Sequence, residues 1–199
     1  GMTAITNGIA LHGGLRPFSG TFLVFMDYAR NAVRMASLMK IPNIFVYTHD
    51  SIGQGEDGPT HQPIEQLSNL RTTPNMNVWR PCDAVETVFS WKAAIERTNG
   101  PTSLVFSRQS LPNLKRTEGA INEISKGGYI VFEVDSQPDA LIIATGSEVS
   151  LGVAVAEIFS KRGISIQVVS MPCVEIFDSQ PKAYKDLVLP PKVSKRIAI

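Results

Sequence analysis

Residues 20–49 read GTFLVFMDYARNAVRMASLMKIPNIFVYTH, and this stretch carries the pattern of an α/β fold. The apolar run at 20–25 is typical of an extended segment, and Asp27 then begins a helix with alanine and valine on one face. Pro42 ends the helix, and the apolar run at 43–49 predicts a short buried strand. Apolar strands that alternate with helices in this way favour a mostly parallel open sheet flanked by helices.

The alternation continues along the chain and predicts two domains. We expect a first domain at residues 1–108, a polar linker with room for one turn of helix at 109–127, and a second α/β domain at 128–199. Both ends of the chain look cut, since a helical pattern starts without a cap and the last residues resemble the beginning of a strand. We therefore expect a fragment of a longer protein.

Composition and charge exclude several classes of function. The 199 residues carry 19 basic and 18 acidic side chains without a basic block, which disfavours nucleic acid and anionic membranes as partners. No apolar run approaches the roughly 18 residues that a membrane span needs. Cys82 and Cys173 lack C-x-x-C spacing, so we expect two small buried thiols in a reducing compartment.

The loop at residues 47–63, YTHDSIGQGEDGPTHQP, is the strongest candidate for an active site. It leaves the carboxyl end of a predicted strand, where open α/β sheets bind ligands, and it exceeds the usual 2–6 residues of a βα connection. It contains His49 and His61 together with several carboxylates. Its glycines allow sharp turns or a close approach of the backbone to a ligand.

Two other interpretations of this loop remain open. Residues 53–58 spell G-x-G-x-x-G between a strand and a helix, but Glu56 and Asp57 would face the pyrophosphate of a dinucleotide and repel it. His49, Asp57 and His61 have the right chemistry for a metal site, although their spacing matches no established pattern. Both interpretations are weaker than that of a substrate-binding loop.

Several segments in sequence order resemble the transketolase family. They include GEDGPTHQPIEQ from the loop, and also TFLVFMDYARNAVRMASLMK, WRPCDAVETVFSWK, FSRQSL and IATGSEV. The resemblance extends over Gly1–Ile199. It implies a thiamin-diphosphate-binding fold, with most of the pyrimidine-binding domain at 1–108 and the start of the C-terminal domain at 128–199.

The resemblance also implies an activity and an assembly. Transketolases move a two-carbon ketol unit between sugar phosphates in the pentose phosphate pathway, with thiamin diphosphate and Mg²⁺ as cofactors. The Mg²⁺ ligands are expected in an N-terminal domain outside this sequence, and so is a glutamate that would precede Gly1 by two residues. A cytoplasmic homodimer with its active site at the subunit interface is expected, and this fragment alone should be inactive.

The family pattern assigns roles to individual residues. Phe22, Phe25 and Tyr28 match an aromatic pocket for the aminopyrimidine ring, with Phe25 stacked on the ring. His49 and Arg108 match positions that grip the substrate phosphate.

Two further loop residues match positions close to the substrate. Asp57 matches an acceptor for a sugar hydroxyl, and His61 matches a histidine that shuttles protons near the reactive carbon. Two other polar features are better explained without a ligand: His12 as a histidine that packs or complements a helix end, and residues 146–148 as a capped turn.

Two alternatives to a transketolase stay open. One is an enzyme like dihydroxyacetone synthase, against which His49 and Arg108 favour a phosphorylated acceptor. The other is a non-catalytic binding or dimerisation module built on the same fold.

Overall fold

The chain folds into two units, each built on its own four-stranded sheet. The computed structural model describes all 199 residues. Unit 1 contains Gly1–Trp79 and Ser90–Ser110, and unit 2 contains Arg80–Phe89 and Leu111–Ile199. The helices are α1 Met2–His12, α2 Met26–Leu38, α3 Gln66–Arg71, α4 Ala84–Glu96, α5 Glu118–Glu123, α6 Glu148–Ser160, α7 Val174–Asp178 and α8 Lys182–Val188. The strands are β1 Phe18–Phe22, β2 Ile44–Thr48, β3 Asn77–Trp79, β4 Thr102–Val105, β5 Tyr129–Phe132, β6 Ala140–Ala144, β7 Ile166–Ser170 and β8 Arg196–Ala198.

Unit 1 has a fully parallel sheet in the order β1-β2-β4-β3. Phe22 pairs with Thr48 and Tyr47 pairs with Val105, so β1, β2 and β4 end side by side. The parallel α/β sheet predicted from the sequence is thus confirmed. Its core consists of buried apolar side chains from the strands and from the helices that cover them: Leu23, Met26, Val33, Ala36, Ile41, Phe45, Tyr47, Leu70, Met76, Val78 and Val105.

The apolar run at residues 20–25 is only partly a strand. β1 stops at Phe22, and Leu23–Phe25 forms a turn of 3₁₀ helix. A strand would place residues three apart on opposite faces, whereas a 3₁₀ turn repeats every three residues. The Phe22 and Phe25 rings therefore lie on the same side, with centroids 5.8 Å apart and planes 8° apart.

Helix α1 buries polar side chains and exposes apolar ones. Thr6 and Asn7 are buried, and Asn7 Nδ2 donates to the carbonyl of Ala32 in α2 at 2.9 Å. On the opposite side, Ile5 and Ile9 are exposed to 65% and 38%. These two isoleucines therefore do not contribute to the core of unit 1.

Unit 2 has a mixed sheet in the order β5-β7-β6-β8. β6 pairs in parallel with β7 and β8, whereas β5 pairs antiparallel with β7. The loop at residues 133–139 contains no helix. Two parallel strands need a longer crossover connection, so β5 and β6 run in opposite directions.

Helix α7 was not predicted from the sequence. The polar segment before β5 contains α5, which is capped by Thr117, whose Oγ1 accepts from Ala120 N at 3.2 Å.

The start of α4 is held by a modified capping box. Asp83 Oδ1 accepts from the backbone N–H of Glu86 at 3.1 Å, as the spacing of the two carboxylates predicts. The Glu86 carboxylate reaches back to the N–H of Cys82 at 2.8 Å instead of that of Asp83. Both cysteines are buried, as the sequence predicted, and neither forms a disulfide. No helix combines the length and the apolar character that a membrane span requires.

A cluster of charged side chains lies inside unit 2, and we call Arg116, Asp83 and Glu86 the buried cluster. Arg116 Nη1 lies 2.6 Å from Asp83 Oδ2, and the exposed fractions of the two side chains are 1% and 0%. Tyr129 accepts from Arg116 Nε at 2.7 Å and donates to Glu86 Oε1 at 2.7 Å. Burial and the negative charge of Glu86 raise the pKa of Tyr129 far above its ordinary value.

Candidate active site

All seven predicted site residues lie in unit 1, along the edge where β1, β2 and β4 end. Phe22 is the last residue of β1, His49 follows the last residue of β2, and Arg108 lies shortly after β4. Strands that are neighbours in a parallel sheet bring such positions together, although they are far apart in the sequence. The register of the sheet therefore places these side chains at one edge.

Aromatic side chains form one side of the site. Phe22 and Phe25 stack with nearly parallel planes, and the ring of Tyr28 lies 5.9 Å from that of Phe25. Tyr28 projects from the first turn of α2 and is 87% exposed. The surface of these rings is thus not closed by the rest of unit 1, and it suits a flat apolar group.

His49 has an unusual backbone conformation, with φ of 61°. Residues other than glycine adopt this left-handed region rarely, and mostly where the surrounding structure imposes it. The turn carries the imidazole onto the ring of Phe22, where the centroids are 3.7 Å apart. The Nδ1 atom lies 3.0 Å from Thr48 Oγ1, and Nε2 lies 3.8 Å from Asp57 Oδ2.

Arg108 lies between two carboxylates of the loop, and we call Arg108, Asp57 and Glu56 the exposed cluster. Arg108 Nε lies 2.9 Å from Asp57 Oδ2, an ion pair whose angles do not suit a hydrogen bond. Arg108 Nη2 donates to Glu56 Oε1 at 3.4 Å. The exposed fractions of the three side chains are 39%, 26% and 85%, so solvent or a solute can reach the guanidinium.

His61 contacts the aromatic rings and has one ring nitrogen available. It packs edge-on against Phe25 and Phe22, with centroids 5.4 and 5.8 Å away. Nδ1 lies 2.8 Å from Thr60 Oγ1, and Nε2 has no hydrogen-bond partner within the chain. The available nitrogen can accept a hydrogen bond from a bound molecule or donate one to it.

The geometry does not support a dinucleotide site at residues 53–58. Gly55–Asp57 forms a 3₁₀ turn, and the next α-helix begins only at Gln66. A dinucleotide fingerprint requires the glycines to lead directly into a helix whose N-terminus faces the pyrophosphate. Here that position holds the carboxylates of the exposed cluster.

A metal site in this loop is not supported either. His49 and Asp57 lie close together, but His61 contacts aromatic rings. No group of three or more histidine, cysteine, aspartate or glutamate side chains in the structure is arranged to hold a metal ion.

Gln54 is a residue of the loop that the sequence did not reveal. It is 1% exposed, and its Nε2 donates to the backbone carbonyl of His49 at 2.8 Å. A neutral glutamine between two glycines gives no signal of its own, because its burial depends on how the whole loop folds back.

The remaining polar features of the sequence lie outside this site. His12 is exposed at the end of α1, with Nδ1 3.4 Å from the carbonyl of Gly13. In the turn at residues 146–148, Gly146 has φ of 57° and the Glu148 carboxylate lies 2.5 Å from Arg80 Nη1. Partial burial opposes ionisation, but the hydrogen bond and charge of Arg80 lower the pKa of Glu148. This helix start thus already holds a carboxylate of the chain.

Comparison with protein families gives two matches that together cover most of the chain. The model for the transketolase pyrimidine-binding domain matches residues 1–113, and that for the transketolase-like C-terminal domain matches residues 127–199. Transketolase 1 of Vibrio parahaemolyticus is 60% identical over 199 residues, which are 100% of this chain and 30% of the relative. The chain thus spans about 30% of the length of the curated relatives it matches.

Solved structures give the same result. A Pichia stipitis transketolase in complex with sedoheptulose-7-phosphate is 44% identical, with a TM-score of 0.91, over 100% of this chain and 32% of that chain. A split-gene transketolase described as an inactive beta4 tetramer is 26% identical, with a TM-score of 0.74, over 98% of this chain and 60% of that chain. The sequence matches and the shared fold show that the chain belongs to the transketolase family.

Proposed function

We propose that the protein carrying this chain transfers a two-carbon ketol unit from a ketose phosphate to an aldose phosphate, as in the pentose phosphate pathway. The observation that carries the proposal is the arrangement along one sheet edge. At one part of this edge an accessible arginine, Arg108, and the largely buried His49 share the carboxylate of Asp57. At another part, a stack of aromatic rings lies beside His61. Such an edge has groups for the phosphate, for the sugar and for a flat cofactor ring.

Arg108 and His49 are the proposed phosphate-binding residues. The guanidinium offers a planar fork of donors that matches phosphate oxygens, and it is 39% exposed. Its ion pair with Glu56 lies at the surface, where such pairs contribute little free energy, whereas the paired oxygen of Asp57 is buried. A phosphate can therefore replace Glu56 as a partner of Arg108. His49 adds a second donor beside it.

Asp57 and His61 are the proposed residues for the sugar. A carboxylate only accepts hydrogen bonds, so Asp57 selects a hydroxyl group that points towards it. His61 has Nε2 without a partner and lies against Phe25. We propose that it moves a proton to or from the oxygen atoms next to the carbon–carbon bond that breaks and forms.

Phe22, Phe25 and Tyr28 are the proposed contacts of the aminopyrimidine ring of thiamin diphosphate. Their ring surface is partly open and fits a flat heterocycle, with Phe25 in the central position. The chemistry that thiamin diphosphate supplies when bound is stabilisation of the carbanion that forms when the ketose bond breaks. Mg²⁺ is the proposed second cofactor, and the 199 residues hold no group of side chains arranged for a metal ion.

A homodimer is the proposed assembly, and helix α1 supplies the observation for it. Ile5 and Ile9 on α1 are exposed, and Leu15 and Phe18 beyond it are exposed to 72% and 64%. An apolar surface of this kind typically marks an interface. Ile5→Glu should shift the natural gene product towards the monomer in sedimentation velocity. An unchanged sedimentation coefficient would show that this face is not the interface.

Variants of the natural gene product test the assigned roles in one assay. Arg108→Ala should raise KM for ribose 5-phosphate roughly 10- to 100-fold, because a charge-assisted pair of hydrogen bonds is lost, with little change for an unphosphorylated aldose. Phe25→Ala should raise the thiamin diphosphate concentration needed for half-maximal activity, and His61→Ala should lower kcat. Arg30→Ala is the matched control, because it removes an exposed arginine of unit 1 outside the site.

The same assay separates the alternatives. Equal effects of Arg108→Ala on phosphorylated and unphosphorylated acceptors would refute the phosphate-binding role. A preference of the unaltered protein for formaldehyde over ribose 5-phosphate would indicate an enzyme like dihydroxyacetone synthase.

A second candidate function is a non-catalytic binding or dimerisation module built on the same fold. The inactive split-gene transketolase favours it, because this chain covers 60% of that protein. A natural gene product that shows no ketol transfer with any sugar phosphate, yet assembles with itself, would support this alternative.

A further inference from the structure

We propose that Gln54 is a positioning residue that holds His49 in the conformation needed to bind phosphate. The phosphate part of this inference rests on the proposed function, and the positioning part rests on geometry alone. Gln54 lies in the loop after β2, five positions beyond His49, and its side chain folds back into unit 1.

The contact between the two residues has a defined chemistry. Gln54 is 1% exposed, and its Nε2 lies 2.8 Å from the carbonyl oxygen of His49. Only the amide nitrogen of glutamine can donate to a carbonyl, so the orientation of the amide is fixed by this bond. The backbone of Gln54 is held in turn, because its N–H donates to the carbonyl of Ile52 at 2.9 Å.

The backbone conformation of His49 is energetically unfavourable, so it needs a contact that holds it in place. Its φ of 61° lies in the left-handed region, which persists only where neighbours impose it. This backbone turn places the imidazole 3.7 Å from the ring of Phe22, with Nε2 3.8 Å from Asp57. A different φ at His49 would carry the imidazole away from both neighbours and from Arg108, which pairs with the same Asp57 carboxylate.

Packing alone does not explain a glutamine at this position. The Oε1 atom of Gln54 is buried and has no hydrogen-bond partner in the chain. An unpaired buried acceptor destabilises a fold, whereas methionine fills a similar volume without this cost. The bond from Nε2 to His49 is the feature that only the glutamine supplies, which favours a positioning role over a packing role.

The direct test is NMR spectroscopy of the natural gene product with labelled histidine ring carbons. The quantity measured is the chemical shift of the His49 ring protons. Stacking on Phe22 should shift the His49 ring protons away from their random-coil values, and His49→Gln identifies the signal by its loss. Gln54→Met should move this signal towards random-coil values, because the bond to the carbonyl is gone. Gln62→Met is the matched control, since Gln62 donates instead to the carbonyl of Ile52.

The kinetic test uses the same variants. Gln54→Met should raise KM for ribose 5-phosphate roughly 3- to 10-fold, the range expected for one hydrogen bond, and leave kcat and the KM for an unphosphorylated aldose unchanged. In a His49→Ala background it should have no further effect. Gln54→Leu repeats both measurements if the methionine variant does not fold.

The outcomes distinguish this inference from the proposed function. An unchanged His49 signal in a folded Gln54 variant overturns the positioning role, whatever the activity of the protein. A displaced signal with an unchanged KM for ribose 5-phosphate overturns the link to phosphate binding. If the unaltered protein shows no ketol transfer, the proposed function fails, while the NMR measurement still decides whether Gln54 positions His49.

Discussion

Two arginines close together in the sequence, Arg108 and Arg116, each lie beside two carboxylates but differ completely in burial. In the exposed cluster, Arg108 is 39% exposed and Asp57 is 26% exposed. In the buried cluster, Arg116 and Asp83 are 1% and 0% exposed. The ion types are the same, so the difference between the clusters lies in what surrounds them.

That difference determines what each cluster can do. Surface ion pairs contribute about 0–1 kcal/mol, so the Arg108 guanidinium can exchange Glu56 for a ligand. Buried ions have lost their hydration, and each must keep its partner. Tyr129 and Ser170 complete the buried cluster, because both hydroxyls donate to Glu86 Oε1, at 2.7 and 2.6 Å. The exposed cluster is therefore suited to binding and the buried cluster to stability.

The largest expected effect on stability comes from replacing Arg116 by methionine. Arg116→Met leaves two buried carboxylates without their cation and should lower the free energy of unfolding by about 3–5 kcal/mol. Arg108→Met is the matched control and should change it by no more than about 1 kcal/mol. Urea denaturation followed by circular dichroism measures both values. Similar losses for the two variants would show that burial does not separate the clusters.

The sequence predicts much of the exposed cluster and little of the buried one. Asp57 lies in a loop that leaves a predicted strand end, and Arg108 lies just past another predicted strand, so residue type and position indicate a site. Arg116 lies in a segment predicted as a polar linker, and nothing in that segment shows that its guanidinium points inward. The capping spacing of Asp83 and Glu86 is visible in the sequence, but their shared partner depends on the tertiary fold.

Two structural details within the site could not be predicted from the sequence either. The parallel sheet follows from alternating strands and helices, and the sheet edge follows from the topology. The 3₁₀ turn that brings Phe22 and Phe25 together is hidden, because an apolar run of six residues suits a strand equally well. The fold of the loop around Gln54 is hidden as well, since it depends on a left-handed residue that is not glycine.

Alkaline pH tests the buried cluster through Tyr129. Burial raises the pKa of Tyr129 in the folded state, so the phenol stays protonated when the unfolded chain begins to ionise at about pH 10. The folded state then binds more protons than the unfolded state, and stability falls as pH rises. The contribution of Tyr129 to this loss is about 1.4 kcal/mol per pH unit above that point.

Tyr129→Phe removes the ionisable phenol. The free energy of unfolding should therefore decrease less between pH 10 and pH 11 in the variant than in the unaltered protein. At neutral pH the variant should already be about 1–3 kcal/mol less stable, because Arg116 and Glu86 each lose a partner. Burial also raises the pKa values of Tyr47 and Cys82, so part of the alkaline loss persists in the variant. An identical slope in both proteins, measured by urea denaturation at each pH, would contradict the role of Tyr129.

The smallest effect on stability is expected in the exposed cluster, where the two carboxylates can be compared directly. Asp57→Ala and Glu56→Ala each remove one partner of Arg108 and should each change the free energy of unfolding by less than about 1 kcal/mol. Only Asp57→Ala should weaken the discrimination between the epimers of a 2-hydroxyaldehyde acceptor, measured as a ratio of kcat/KM values. Glu56 is 85% exposed, whereas Asp57 is 26% exposed and also lies next to His49.

This pair of variants separates direct recognition of a hydroxyl from an effect of charge. If the epimers are distinguished by a hydrogen bond to Asp57, the loss of Glu56 leaves their ratio intact, because the acceptor is still in place. If the ratio instead depends on the negative charge around Arg108, both variants lower it alike. Equal losses would therefore exclude Asp57 as the residue that recognises the hydroxyl, and they would show that even the exposed cluster acts as a unit.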